Sequence, residues 1–229
     1  MSITVRVNHK ETGYVDFDIP TEWEDMTLSY WTGMLSVIKD HTQKKDLKTK
    51  SLEETYKDSE FLENILNDVE ILDEMSLNAD IFCYVSGLNR DDTKKADMKD
   101  ITKVINAMEV LTEEYEPKGT RSFEYEGETY YFPSEFLRKN TYGDFIEATQ
   151  LEMTIESMKN GRFDVLPEQM AILCRRVGEE YDEDKVQEKT EKFKNLTMDI
   201  VFEFAFFLTN QNQNLLKLSS MYLEKEENL

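Results

Sequence analysis

Apolar positions along this chain follow two periods, and the order in which they alternate sets the expected fold. At the start, Ile3, Val5 and Val7 alternate with polar residues, and after a turn holding Gly13 so do Val15, Phe17 and Ile19. A period of two is the signature of a half-buried strand, so this stretch predicts an antiparallel hairpin. Pro20 ends it, having no N–H to give to a ladder. The period then lengthens: Leu28, Trp31, Leu35 and Ile38 share one face of a helix that Thr27 can cap. From Asp40 to Lys50 the chain is lysine-rich and polar and predicts a loop. Ser51 and Glu54 have capping-box spacing ahead of a helix with Phe61, Ile65, Leu66, Val69 and Leu72 on one stripe. Asn78 predicts a fresh helix start, with Leu77 and Phe82 as a hydrophobic staple and Gly87 as the stop. Arg90 to Lys99 predicts a charged loop. Ile101, Val104, Ile105, Met108 and Leu111 then form a helical stripe closed by Pro117 and Gly119.

The second half repeats the order of hairpin and helices. Phe123, Tyr125, Tyr130 and Phe132 flank a turn at Glu126-Gly127, and Pro133 ends the run. Thr141 caps a helix with Phe145, Ala148, Leu151, Ile155 and Met158 on its face. Pro167 suits the first turn of another, with Met170, Leu173, Cys174, Val177 and Tyr181 as its stripe. Asp182 to Lys194 is charged, anchored by Val186 and Phe193. Next comes the densest apolar run, Leu196 to Leu208, reading LTMDIVFEFAFFL. As a helix begun at Thr197 it is apolar nearly all round, with Asp199 and Glu203 as a narrow wet stripe, and so predicts burial. Its β-branched and aromatic content leaves a strand as the alternative. It is too short for a bilayer, which needs about 20 apolar residues. Leu215, Leu218, Met221 and Tyr222 mark a last amphipathic helix before an acidic tail.

The predicted class is therefore α+β, mostly α-helical with one or two small antiparallel β-hairpins. The natural division is a hairpin-plus-helices unit at 1–116 and another at 117–229, or one continuous domain if the hairpins pair into a single sheet. An echo raises duplication, against the alternative that strand, proline, cap and helix are ordinary neighbours. In both halves a turn glycine and a proline (Gly13 and Pro20; Gly127 and Pro133) precede a Thr-capped helix with an aromatic four positions in (Thr27 and Trp31; Thr141 and Phe145).

Charge narrows the partners. The 229 residues carry a formal net charge of −21, which opposes contact with nucleic-acid phosphates and anionic membrane surfaces. Cys83 and Cys174 lack metal-ligand spacing and read as reduced thiols. The chain enters a strand pattern without a basic or apolar leader, which predicts a cytoplasmic protein. Glu179, Glu180, Asp182, Glu183 and Asp184 invite a calcium loop, but the glycine and glutamate positions hold Gln187 and Phe193. His9 and His41 share no ligand spacing with a cysteine or with each other, and no nucleophile or phosphate-loop motif occurs. The expectation is no enzyme, no catalytic residue, no cofactor and no metal. A hydrolase using paired carboxylates has nothing specific behind it, because carboxylates are everywhere. Trp23, Phe206 and Phe207 are the candidates for partner contact.

The string FEYEGETYYFP (Phe123 to Pro133) leads to TYGDFIEA (Thr141 to Ala148), Leu166-Pro167, EEYDED (Glu179 to Asp184) and FKNLTMDI (Phe193 to Ile200). The opening hairpin and IPTEWEDMTL (Ile19 to Leu28) fit the same pattern. In this order the chain resembles small acidic proteins encoded among the structural genes of tailed bacteriophages of Bacteroidetes, crAss-like phages among them. The resemblance implies a non-enzymatic tail-assembly chaperone-like protein or a minor virion protein, held in a ring or packaged as cargo. Its partners would be tail, portal or capsid components, or further copies of itself. It would work in the host cytoplasm during assembly, or in the virion. The competing expectation is an acidic binding module or inhibitor of a basic host or phage protein.

Overall fold

A computed structural model describes residues 2–9, 13–55, 62–108, 114–133 and 162–210. The fold is α+β and mostly helical, with two small antiparallel sheets. Two compact units form, one from Met1–Met26 and Tyr30–Glu113, the other from Thr27–Ser29 and Glu114–Leu229.

In the first unit, β1 (Ser2–His9) and β2 (Gly13–Pro20) pair with Ile3 opposite Ile19, Val5 opposite Phe17 and Val7 opposite Val15. The strand period puts these side chains on one face, where Val5, Val7 and Ile19 are buried. On the other face Arg6 forks onto Asp16 through two 2.7 Å bonds, and the Thr4 hydroxyl donates to Asp18 at 2.6 Å. Such exposed pairs add little energy, but a one-residue slip would separate them and turn the apolar set outward.

The hairpin packs on α1 (Leu28–Thr55), α2 (Leu62–Ser86) and α4 (Met98–Ala107) through Met34, Phe82, Val85, Val104 and Met108. Phe17 meets Phe82 edge-on with centroids 6.1 Å apart. Where α1 and α2 approach, the Tyr84 hydroxyl donates to the Tyr30 carbonyl at 2.9 Å. A Cβ at Gly33 would strike the Tyr84 ring, so this approach needs the glycine. Burial, and secondarily the neighbouring Tyr84, pushes the Tyr30 phenol up to about 12.

Three expectations for this unit are corrected. Residues 40–50 are not a loop: α1 runs through them unbroken to Thr55, because Lys, Gln and Leu are good helix formers that need no core to stay helical. Ser51 and Glu54 thus fall in the last turns of α1 rather than opening a helix. Asn78 starts nothing either; it lies within α2, which continues to Ser86 before Gly87, at φ +69°, ends it. The charged stretch from Arg90 contains α3 (Arg90–Thr93), opened by the Asn89 side chain accepting from the Asp91 and Asp92 N–H groups at 3.0 and 2.9 Å.

In the second unit, β3 (Ser122–Tyr125) and β4 (Glu128–Tyr131) join through Glu126 and Gly127, whose φ values of +52° and +79° suit a two-residue hairpin turn. The short β5 (Arg175–Arg176) adds to β4, with Arg176 opposite Tyr130. Between them lies α5 (Leu166–Leu173), with Pro167 in its first turn. The stripe predicted to run on to Tyr181 stops early, because Cys174 turns extended at ψ 136° and the chain enters the sheet. Val177 is accordingly 80% exposed. The charged run that follows is itself a helix, α6 (Glu183–Phe193), capped by Asp182, whose carboxylate accepts the Asp184 N–H at 3.2 Å.

The apolar run forms α7, residues 198–210, which disposes of the strand alternative. Just before it Thr197 bridges Thr27, the Leu28 N–H donates to the Leu196 carbonyl at 2.8 Å, and the Ser29 N–H and hydroxyl donate to the Lys194 carbonyl at 2.9 and 2.7 Å. The unsatisfied first-turn donors of α1 thus find acceptors in the turn between α6 and α7. Phe204 is fully buried against Phe132, and Phe123, Tyr130 and Phe193 complete an aromatic core. The helices expected from Thr141 and through Leu215 to Tyr222 lie outside the described residues.

The wet stripe on α7 is a further correction. Glu203 is only 5% exposed and accepts from the Tyr115 hydroxyl at 2.9 Å, the Thr120 N–H at 2.9 Å and the Lys118 N–H. Burial alone would raise its carboxyl, but these donors outweigh burial and hold it below its ordinary value. A carboxyl depressed on folding stabilises the protein above its unfolded value of about 4.3, and that contribution is lost as pH falls through the folded value. Denaturant titrations should therefore show Glu203→Gln less stable than wild type at pH 7, with the gap narrowing as pH falls below about 4. A gap independent of pH would contradict the assignment.

Candidate functional site

The α2 helix is apolar on two sides. Its C-terminal third supplies Phe82 and Val85 to the core of the first unit. Further back, Ile71, Leu72 and Met75 are 60%, 60% and 50% exposed. At helical spacing these three and Ala79 make one stripe. Across from it stands α4, with Met98 58% exposed beside Ile101 and Ile105. Of this stripe Met75 and Ala79 line a groove of about 560 Å³ with Met98, Ile101 and Ile105 of α4, closed at the α3 end by Arg90, Thr93 and Lys94, while Ile71 and Leu72 lie outside its lining. A single exposed leucine is ordinary, whereas several apolar side chains sharing one groove make a candidate binding surface.

The electrostatics are lopsided. The whole of α2, LENILNDVEILDEMSLNADIFCYVS, has no lysine or arginine. Asp68, Glu70 and Glu74 are exposed on it, and of these only Glu74 lines the groove, facing a lining that also holds Arg90 and Lys94. Its two inner acids are engaged. The ring of His41, 7% exposed on α1, places Nδ1 3.0 Å from Asp80 Oδ2 and Nε2 3.1 Å from Asp73 Oδ1. The second contact does not have the geometry of a hydrogen bond. Lys45 reaches Asp73 at 3.4 Å, while Arg90 pairs with Asp80 and donates to the Ser76 hydroxyl at 2.8 Å. This network ties α1, α2 and α3 together behind the groove and fixes Arg90 at its end.

Other polar clusters have structural work. The Lys189 side chain is 11% exposed; its ammonium donates to the Cys174 carbonyl at 2.7 Å and to Glu179 at 3.0 Å, and it faces the Tyr130 and Phe193 rings. Burial holds its pKa below the ordinary lysine value. Cys174 is buried, and burial pushes its thiol up to about 12. The acidic run weighed as a calcium loop supplies Asp182, which caps α6 and pairs with Lys185 at 2.6 Å. Among the described residues no group of three or more His, Cys, Asp or Glu side chains is arranged to hold a metal ion, and no helix is long and apolar enough to cross a membrane.

The three residues singled out for partner contact are placed differently from one another. Trp23 is 8% exposed and packs edge-on against Trp31 at 5.4 Å, so most of it is committed inside the first unit. Phe207 is half-buried against Phe132, at 6.1 Å, and Phe204. Phe206 is 48% exposed. None of them belongs to the groove. Sequence reasoning missed the groove by starting a fresh helix at Asn78, which separated Met75 from Ala79, and missed the His41 network by reading residues 40–50 as a loop. The signal was present: His41 and Lys45 are one turn apart, Asp73 and Asp80 two turns apart, so each pair shares a helix face. Compared with protein-family models, curated proteins and solved structures, the chain matched none.

If the network is the brace it resembles, His41 and Asp80 act as a unit. A double-mutant cycle of His41→Ala and Asp80→Ala, read by urea denaturation, should give a coupling of about 1–2 kcal/mol. Additive effects would show that the contact carries no stability.

Proposed function

We propose that the protein works without catalysis, binding another protein stoichiometrically during assembly of a tailed-phage particle. The observation that carries this reading is the exposed apolar groove between α2 and α4, the kind of surface that a folded protein keeps open for a partner. Its resemblance to acidic proteins of phage structural modules supplies the setting. In that setting the groove covers apolar surface of an unassembled tail, portal or capsid component, or holds the protein in the particle. The charge of −21 favours protein over nucleic acid on the other side of the contact.

A second reading, an acidic module that inhibits a basic protein, draws on the absence of basic residues in α2. The two readings differ in what dominates binding. A chiefly electrostatic contact collapses as salt screens charges beyond about 8 Å, whereas an apolar one survives.

Affinity purification from phage-infected cells, with mass spectrometry of the complexes and of purified virions, tests the proposal. The expected result is a phage structural protein bound in fixed ratio, with this protein either absent from virions as a chaperone or present in defined copy number as a component. Complexes containing no phage structural protein would overturn it.

A further inference from the structure

We infer that β1 is an open sheet edge that takes an extended segment of another protein as a third, antiparallel strand, one in which apolar residues alternate with acidic or polar ones. The sheet of the first unit has two strands, so each has an outer edge. Half of the N–H and C=O groups of such a strand point away from its partner. Among the described residues nothing meets that outer row on β1: beyond the ladder to β2, no hydrogen bond reaches the backbone of Ser2–His9. Ser2, Ile3, Thr4 and Arg6 are all exposed, so this part of the edge is open to solvent. None of these residues lines the groove between α2 and α4, and the edge is a separate surface.

Folded proteins blunt open edges with proline, charged side chains, bulges or short strands. β2 is blunted, by Asp16, Asp18 and Pro20. β1 is eight residues long, has neither proline nor lysine, and pairs with β2 residue for residue without a bulge. Its one charged side chain besides the histidine, Arg6, is already neutralised by Asp16. Unpaired strand groups accept only another strand, and the side chains of the edge set what that strand carries. Ile3 is 42% exposed although Ile19 across from it is fully buried, so the apolar face is uncovered on the β1 side and an apolar residue beside Ile3 extends it. On the other face Arg6 meets Asp16 through Nε and Nη2, which leaves the Nη1 donors for an acidic residue across the new ladder. Among the described strands of four residues or more, β1 alone has no carboxylate to repel that residue. A second copy of this chain fits poorly, because it brings a further net charge of −21 against the first.

The probe is a capped synthetic peptide of about eight residues, valine alternating with aspartate and threonine. Binding to the full chain is followed by calorimetry, and its place by amide hydrogen exchange. The expected result is new protection of alternate β1 amides, the outward row, with the β2 amides unchanged. Reordering the same residues to break the alternation should weaken binding by at least about tenfold. N-methyl groups on one alternate set of peptide amides should abolish binding, and on the other set leave it, because only one set faces β1. Neither change alters which side chains are offered. Arg6→Gln should weaken binding of this peptide, leave a serine-for-aspartate version unaffected, and keep the thermal transition in place, since Arg6 is exposed. Protection on β2 or elsewhere, tolerance of N-methylation on both sets, equal binding of the reordered peptide, or no binding up to about 1 mM would each overturn the inference. Concentration-dependent protection of β1 in the chain alone would overturn it in favour of a second copy. The peptide series reads β1 alone, so its outcome is distinct from that of the assembly reading, which the groove carries.

Discussion

A carboxylate on a helix that is apolar nearly all round survives only if its lone pairs are met, and Glu203 is where that constraint shapes the second unit. Three donors converge on it from a span of six residues, Tyr115 to Thr120, two of them backbone N–H groups. Backbone donors belong to the chain path rather than to a movable side chain. Satisfying Glu203 therefore fixes the route by which residues 115–120 lead into β3. The Phe132 N–H donating to the Arg121 carbonyl at 2.9 Å continues that lock on the far side of the hairpin. With the hairpin held, Phe123, Tyr130 and Phe132 are aligned for Phe193 and Phe204. The buried charge costs stability in isolation, and an uncompensated one would cost more than the core around it could offset.

In the first unit the governing feature is a helix with more apolar surface than its neighbours cover. α2 spends Phe82 and Val85 on the hairpin, yet presents Ile71, Leu72 and Met75 outward. A core needs only one such face. The polar network behind the helix explains how the outward face stays where it is. His41 and Lys45 from α1 and Arg90 from α3 hold Asp73 and Asp80, so α2 cannot roll its exposed stripe inward without separating these two carboxylates from their partners.

Elements whose pattern is local were legible from the sequence. The period-two runs around Gly13 and Gly127 are strands with the predicted faces inward, and Val104 and Met108 lie buried as their stripe requires. What escaped was continuity. Lysine-rich residues 40–50 look like a loop when hydrophobicity is the only guide, but helix propensity carries α1 across them. Asn78 has the chemistry of a cap and sits mid-helix, because capping signals compete with propagation and lose when both flanks already propagate. Glu203 looked wet because periodicity counts side chains on one helix and knows nothing of donors 83 to 88 residues away. The pairing of Thr27 with Thr197 was hidden for the same reason. The duplication raised by Thr27 and Thr141 turns on a helix start that lies outside the described residues.

Open apolar surface and strong acidity answer one another. A groove lined by Met75, Met98 and Ile101 would invite self-association in a neutral protein. Asp68, Glu70 and Glu74, exposed on α2 within a chain of charge −21, oppose the close approach of a second copy. Specificity is a difference between affinities, and repulsion contributes to it as much as attraction does. Charge alone would select any basic surface, and apolar area alone any greasy one.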